Sequence, residues 1–572
     1  MEGLWYFGNT TVRNPYRMKD GLTALSDSGL EGRIRQREGD EAFTRVLAGA
    51  GVVTLSENNP DSSYSIGRKW RSALERMGFL YPKVKGQPFK QDAVGPLDHI
   101  SPNGRRLIEA QTVAGIQECY LRALGGQLIS YKTPSVGLAR FNPLSHIILL
   151  LDDLERSSGE TGANPIELAL FFFTSPPTDD FEYLSSAIID LRRRREAATS
   201  KRRFDTEEYA KAARAIGSDK PHTFIDYLDT NIRYLKATGI FQAMGRGISF
   251  VPEKRKIALE LASQEPFDWN SGDALRRQCE GIPLPTDNAA SSYMLLQDDI
   301  ALLRQYGDTY EMPALQTFDA AAIHQIRYEV EERLSNAKEM HYAAQQRGQW
   351  SEISGYLRAL AEKRSNITID YDTKVTIPKS EAAAYMEWAV WRAFLAVDSI
   401  SCKPYEVRRF NIDQDFLPIS TAPGKGPDLI VRFGDTILAV EVTLTENSRQ
   451  EAAEGEPVRR HVADLIEEYP GKNVLGLFIA NSIDTNTAET FRNGRWYDQN
   501  DQEHDLRILP LKTADFTELL DASFHHGDAG PHIILDLIDE CTSTRDSFTA
   551  PQWKSFIEER ICASIASLCN VN

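Results

Sequence analysis

Cysteine is scarce in this chain. The six present among 572 residues (Cys119, Cys279, Cys402, Cys541, Cys562, Cys569) stand singly, with no Cys-x-x-Cys pair and no Cys/His cluster at zinc-ligand spacing. That excludes a disulfide framework or a structural zinc site as the basis of the fold. Long hydrophobic runs are missing too. The longest, such as Ile147 to Leu151 and Leu168 to Phe173, are core-sized and far short of the roughly 20 residues that a membrane-spanning helix needs, so no membrane role is expected. The opening Met1-Glu2-Gly3-Leu4-Trp5 lacks the basic-then-apolar layout of a secretory signal, and a cytoplasmic address is the expectation. Gly424-Lys425-Gly426 has neither the spacing nor the final Ser or Thr of a phosphate loop. Ser175-Pro176-Pro177 runs into Thr178 with no glycine-rich methyl-donor loop before it. Nucleotide hydrolysis and methyl transfer therefore drop out.

What the chain does contain is ordinary globular material, 41% hydrophobic and 26% charged, and at this length two to four domains are expected rather than one core. A net charge of -17 would argue against a polyanionic partner if it were spread evenly. It is not. Residues 1–250 hold 33 Lys+Arg against 30 Asp+Glu, a balance of +3, and residues 251–572 hold 32 against 52, a balance of -20. The asymmetry permits nucleic-acid binding by the front and carboxylate chemistry by the rear.

The first 250 residues read as short helices punctuated by turns and a few hairpins, with no βαβ alternation and no repeat of fixed period. Ile66 to Leu80 and Ile100 to Leu107 have a winged-helix pattern: an amphipathic helix ending at Gly78, extended sequence, then a helix that Ser101 caps and Pro102 starts. A second module runs from a helix through Tyr227 and Tyr234 to a hairpin turned by Gly245-Arg246-Gly247. Residues 264–290 are richer in Pro, Gly, Asp and Ser and suit a linker. Beyond them come charged helices to about residue 365, a helix over 380–397, and then a change of period. Leu429 to Phe433, Ile437 to Val442, Val474 to Ala480 and Arg507 to Leu511 read as strands, the first two joined at Gly434-Asp435. The expected fold is multidomain: a recognition region of winged-helix-like modules (1–263), a linker region (264–290), and a helical lead-in with an α/β domain whose mixed sheet is flanked by helices (291–572).

Chemistry points to Pro427-Asp428-Leu429-Ile430, followed thirteen positions after Asp428 by Glu441-Val442-Thr443. A hairpin whose first strand begins with Asp and whose second contains Glu brings both carboxylates to one end of a sheet, where they can share a divalent cation. Hard oxygen ligands suit Mg2+, which keeps several waters and completes its shell with substrate phosphate. The pattern is similar to that of the PD-(D/E)xK nucleases, with Thr443 in place of the lysine. Around it stand Glu387 in Met386-Glu387-Trp388, Glu456 in Glu456-Pro457-Val458-Arg459-Arg460-His461, and the apolar Gly476-Leu477-Phe478-Ile479-Ala480.

With these segments in this order the chain resembles the AlwI family of type IIS restriction endonucleases and their strand-nicking relatives. Trp5 to Arg17, Asn142-Pro143-Leu144, Thr238-Gly239-Ile240-Phe241, Pro252-Glu253-Lys254 and Arg507-Ile508-Leu509-Pro510-Leu511 also have counterparts there. The resemblance implies a sequence-specific, Mg2+-dependent endonuclease that binds double-stranded DNA and hydrolyses it at a fixed offset from a short asymmetric site. It implies an acidic active site of Glu387, Asp428, Glu441 and Glu456, with Asp428 and Glu441 as metal ligands and Thr443 and His461 supporting them. Either Glu456 or His461 would help activate water. Double-strand cleavage would need a second catalytic centre, from a transient dimer or a partner subunit, and without one the chain would nick. The rival reading is a non-catalytic DNA-binding regulator with a decayed nuclease domain. For DNA contact the candidates are Arg13, Arg17 and Lys19, then Arg33 and Arg35, and on the first module's helix Arg68, Lys69 and Arg71.

Overall fold

The computed structural model describes residues 5–53, 55, 65–133, 137–174, 180–215, 222–264, 272–313, 318–368, 374–446 and 449–569. The Ser175-Pro176-Pro177 motif and residues 265–271 of the expected linker lie outside them. The chain is mostly helical and divides into two compact units, Met1–Gln305 with Thr309–Glu331, and Tyr306–Asp308 with Glu332–Asn572.

In the first unit, polar caps start several of the helices that the apolar periodicity extends. The Ser101 hydroxyl accepts from the Gly104 N–H at 3.0 Å ahead of helix Pro102–Glu109, and Asn142 accepts from the Ser145 N–H at 2.7 Å ahead of helix Pro143–Ser158. The first expected module has its two helices, Ser65–Arg76 and Pro102–Glu109, and the segment between them contributes a single antiparallel bridge, Leu80 with Ile100. One hairpin pairs β1 (Ile129–Thr133) with β2 (Gly137–Phe141). In the second module, helix His222–Lys236 leads to β3 (Phe241–Met244) and β4 (Gly247–Phe250), which pair antiparallel around Gly245-Arg246. The opening segment is sewn into this unit's core. Trp5 packs edge-on against Phe141 and Phe173, the Phe7 N–H donates to Asn231, and the Tyr234 hydroxyl donates to the Val12 carbonyl. Residues 272–290 of the expected linker lie within this unit and hold helix Asp273–Glu280, whose Gln278 side chain donates to the Arg76 carbonyl at 2.9 Å.

In the second unit helices Trp350–Ala361 and Ala382–Leu395 pack on one another, with a short hairpin of β5 (Asn366–Thr368) and β6 (Lys374–Thr376) between them in sequence. Its sheet is built from β7 (Leu429–Phe433), β8 (Thr436–Thr443) and β9 (Asn473–Ala480). A separate hairpin of β10 (Arg495–Tyr497) and β11 (Glu503–Asp505) follows before the fourth strand, β12 (Ile508–Lys512). The order is β12-β9-β8-β7, with β7 and β8 antiparallel and the other two pairings parallel. The near-continuous apolar run of β9 reflects its central place, covered on both faces. Gly476 in β9 lets helix Glu456–Glu468 approach closely: a Cβ there would lie 2.8 Å from Ile508 and 3.0 Å from Val462. Among the described residues no helix is long and apolar enough to cross a membrane, and all six cysteines are free.

Candidate active site

The hairpin register builds the site. Leu429 pairs with Val440, so Asp428, one residue ahead of β7, stands opposite Glu441 in β8. The Val442 N–H donates to Asp428 Oδ2 at 2.8 Å and ties the two strand ends together. Glu387 comes from helix Ala382–Leu395, which packs on β7 and β8, and its Oε2 accepts from the Ala422 N–H at 2.7 Å in the loop leading to Asp428. Glu387 and Glu441 are only 6% and 8% exposed.

Burying several carboxyls together costs each its charged form. Desolvation, then the Asp428 charge, pushes Glu387 up to about 9 against the opposing Ala422 N–H. Desolvation and the facing Glu441 push Asp428 up to about 8, and desolvation and Glu454 push Glu441 up to about 8. A set of this kind holds protons at neutral pH until a cation takes their place. The donors are oxygen only, which suits a hard divalent cation. They are not crowded: among the described residues the ligand atoms lying as a trio within 4.8 Å of one another are those of Glu467, Asp498 and His504. The oxygens of Glu387, Asp428 and Glu441 do not form such a trio.

His461 closes the other side. Its Nδ1 lies 2.5 Å from Glu441 Oε1, and its Nε2 is buried without a hydrogen-bond partner among the described residues. Desolvation, then the neighbouring Arg460, lowers its pKa and favours the neutral ring. Thr443 turns its hydroxyl to Glu454, donating to Oε1 at 2.7 Å.

A sequence model of the AlwI restriction endonuclease family matches residues 75–519, well over half of the chain and all of these side chains. The chain belongs to the AlwI restriction endonuclease family. It is accordingly a nuclease whose substrate is DNA. No curated protein matches it. Among solved structures it is similar to the small subunit of the heterodimeric restriction endonuclease R.BspD6I, at 23% identity and a TM-score of 0.28, over 36% of this chain and 97% of that one.

Within the candidate site the structure brings together Glu387, Asp428, Glu441, Thr443 and His461. Glu456 does not join them. Its side chain is 61% exposed and pairs with Arg460 at 3.1 Å. Glu454 stands near the cluster instead, a residue that the sequence alone does not single out within the run Glu451, Glu454, Glu456. Glu454 lies in the π-helical turn Glu451–Gly455 ahead of helix Glu456–Glu468, whose Val458 and His461 are buried, so α-helical period alone does not place it.

The candidate DNA contacts also divide. Arg71 is 7% exposed and pairs with Asp40, and Arg35 pairs with Glu75 and with Asp98. Lys19 donates to the Ala110 carbonyl and Arg17 to that of Gly51. These four serve the first unit's own packing. Arg13, Arg33, Arg68 and Lys69 are exposed, and Asn9 donates to the Lys69 carbonyl at 2.8 Å, which sets the 9–13 loop beside helix Ser65–Arg76. The arginines at 192–195 are engaged with Glu160, Glu167, Asp190, Asp205 and Glu208.

Proposed function

We propose that this AlwI-family enzyme is a type IIS, Mg2+-dependent endonuclease. On this reading residues 1–263 recognise a short asymmetric site through winged-helix-like modules, and the PD-(D/E)xK unit within 291–572 cuts at a fixed offset. The observation that carries the reading is the facing pair Asp428 and Glu441 at one end of a mixed sheet, with Glu387 and Glu454 beside them.

Asp428 and Glu441 would hold the cation, with Glu387 and Glu454 neutralising or tuning it. Bound magnesium supplies Lewis-acid polarisation of the phosphodiester and acidifies water at the site. The chain's own part is orientation and proton handling. Val442 and Ala422 fix the carboxylate rotamers through their N–H groups. With Nδ1 donating to Glu441, Nε2 of a neutral His461 ring would accept the proton of an attacking water. General-base assistance of this kind contributes about 10²–10⁴ in rate. One unit carries one acidic centre, so cutting both strands calls for a second copy or a partner subunit, and the same centre acting alone nicks.

The test is incubation with supercoiled plasmid and Mg2+, beside Glu441→Ala and an EDTA control, with the product ends mapped. Discrete ends at a constant distance from one short sequence, absent from both controls, are expected. Nicked circles indicate one strand cut and linear product both. Intact plasmid that the protein nevertheless binds selectively would replace this reading with that of a DNA-binding regulator.

A further inference from the structure

The turn that presents Asp428 is held from outside by a side chain that the acidic motif does not include. The backbone of Arg408 bridges antiparallel to Leu429, which brings the next residue, Arg409, alongside residues 425–428. Arg409 Nη1 donates to the Pro427 carbonyl at 2.9 Å and Nη2 to the Lys425 carbonyl at 3.4 Å. Between those two residues Gly426 has φ +146°, and a Cβ built on it would fall 2.5 Å from Nη1. The guanidinium therefore occupies the space that any other residue at 426 would need. Its neighbour behaves differently: Arg408 is matched by both oxygens of buried Glu339, at 2.8 and 2.7 Å. Arg409 donates to carbonyls, and its charge favours the ionised form of Glu441.

We infer that Arg409 is a positioning residue of the cleavage centre: by gripping the carbonyls of Lys425 and Pro427 it fixes the backbone that aims the Asp428 carboxylate at Glu441. A planar guanidinium suits this task because it presents two donors in a fixed fork, which an ammonium does not. Gly426 is the other half of the device, since only a residue without a Cβ admits the fork. The inference rests on the nuclease reading above.

The test uses the full chain and the variants R409Q, R409K, G426A and R409Q/G426A. Two quantities are read: Mg2+ binding to the DNA-free protein by titration calorimetry, and kcat and KM on a cleavable duplex. Loss of a group that orients a metal ligand costs about 10–100-fold in metal affinity or activity. R409Q is expected to weaken Mg2+ binding and lower kcat by that factor, with KM for DNA unchanged. R409K, with one point donor in place of the fork, should fall between it and the wild type. G426A keeps the arginine and its charge but evicts the fork, so it should match R409Q, and the double variant should be no worse than either single one. If R409Q does not fold, R409K and G426A still carry the comparison. A wild type that binds Mg2+ and cuts, with R409K and G426A equal to it in both readouts, would overturn this inference alone. A wild type that binds no Mg2+ and cuts no DNA would overturn the nuclease reading and this inference with it.

Discussion

Glu454 and Glu456 are two residues apart and chemically identical, yet they have opposite surroundings. Glu454 accepts from Thr443 and raises the pKa of Glu441, whereas Glu456 pairs with Arg460 at the surface. Glu454→Gln should therefore cost about 10–100-fold in cleavage, the range for groups that tune a metal site, and clearly more than Glu456→Gln. Steady-state cleavage of one labelled duplex compares them. The three central carboxyls also make a prediction about pH. Their folded pKa values, about 9, 8 and 8 for Glu387, Asp428 and Glu441, lie above ordinary values of 4.5, 3.8 and 4.5. Between about pH 4 and 8 the folded chain then binds more protons than the unfolded one, and stability falls as the pH rises. Unfolding by urea in EDTA should show this decline for the second unit, and Asp428→Asn should flatten it. Mg2+ binding should release protons, read as a dependence of the calorimetric heat on buffer ionisation.

At the scale of elements, the hairpin of β7 and β8 and the helix Glu456–Glu468 must meet at a fixed spacing for Glu441 to reach His461. Gly476 sets that spacing by letting Val462 approach β9. Gly476→Ala should destabilise the second unit by about 1–3 kcal/mol, the usual cost of overpacking a filled core, and slow cleavage as His461 shifts with its helix. Unfolding followed by tryptophan fluorescence, beside kcat, checks both. In the first unit Ser101 caps a helix whose inner face is buried, so Ser101→Ala should cost about 1 kcal/mol. Faster hydrogen exchange across residues 102–109, with Mg2+ binding unaltered, is the expected result.

For the whole molecule, the proposed division of binding and cutting between the two compact units predicts that substitution can separate them. Asp428→Asn should bind DNA with wild-type selectivity and cut none, which gel-shift and cleavage assays on one duplex would establish. Arg68→Ala with Lys69→Ala should weaken binding across all sequences and reduce the slope of log K against log salt by about 2, roughly one for each phosphate that the two cations neutralise. An unchanged slope would show that these exposed cations do not touch the phosphates. Arg35→Ala, by contrast, removes a partner of Glu75 and Asp98, and its effect should appear in stability.

By itself the sequence determined what depends on local periodicity. The alternation of β7, the apolar run of β9, the caps at Ser101 and Asn142, and the Gly434-Asp435 turn follow from neighbouring residues, and the turn's register is enough to set Asp428 opposite Glu441. Family membership was legible for the same reason, in short segments kept in order. Tertiary structure alone decided which charges are available and which are spent. Arg71 meets Asp40 from 31 positions away, Arg409 reaches Pro427 across 18, and Glu441 meets His461 across 20. Such pairings depend on how separate elements pack, and a long flexible charged side chain reads identically in sequence whether it ends in solvent, on DNA or on a buried carbonyl.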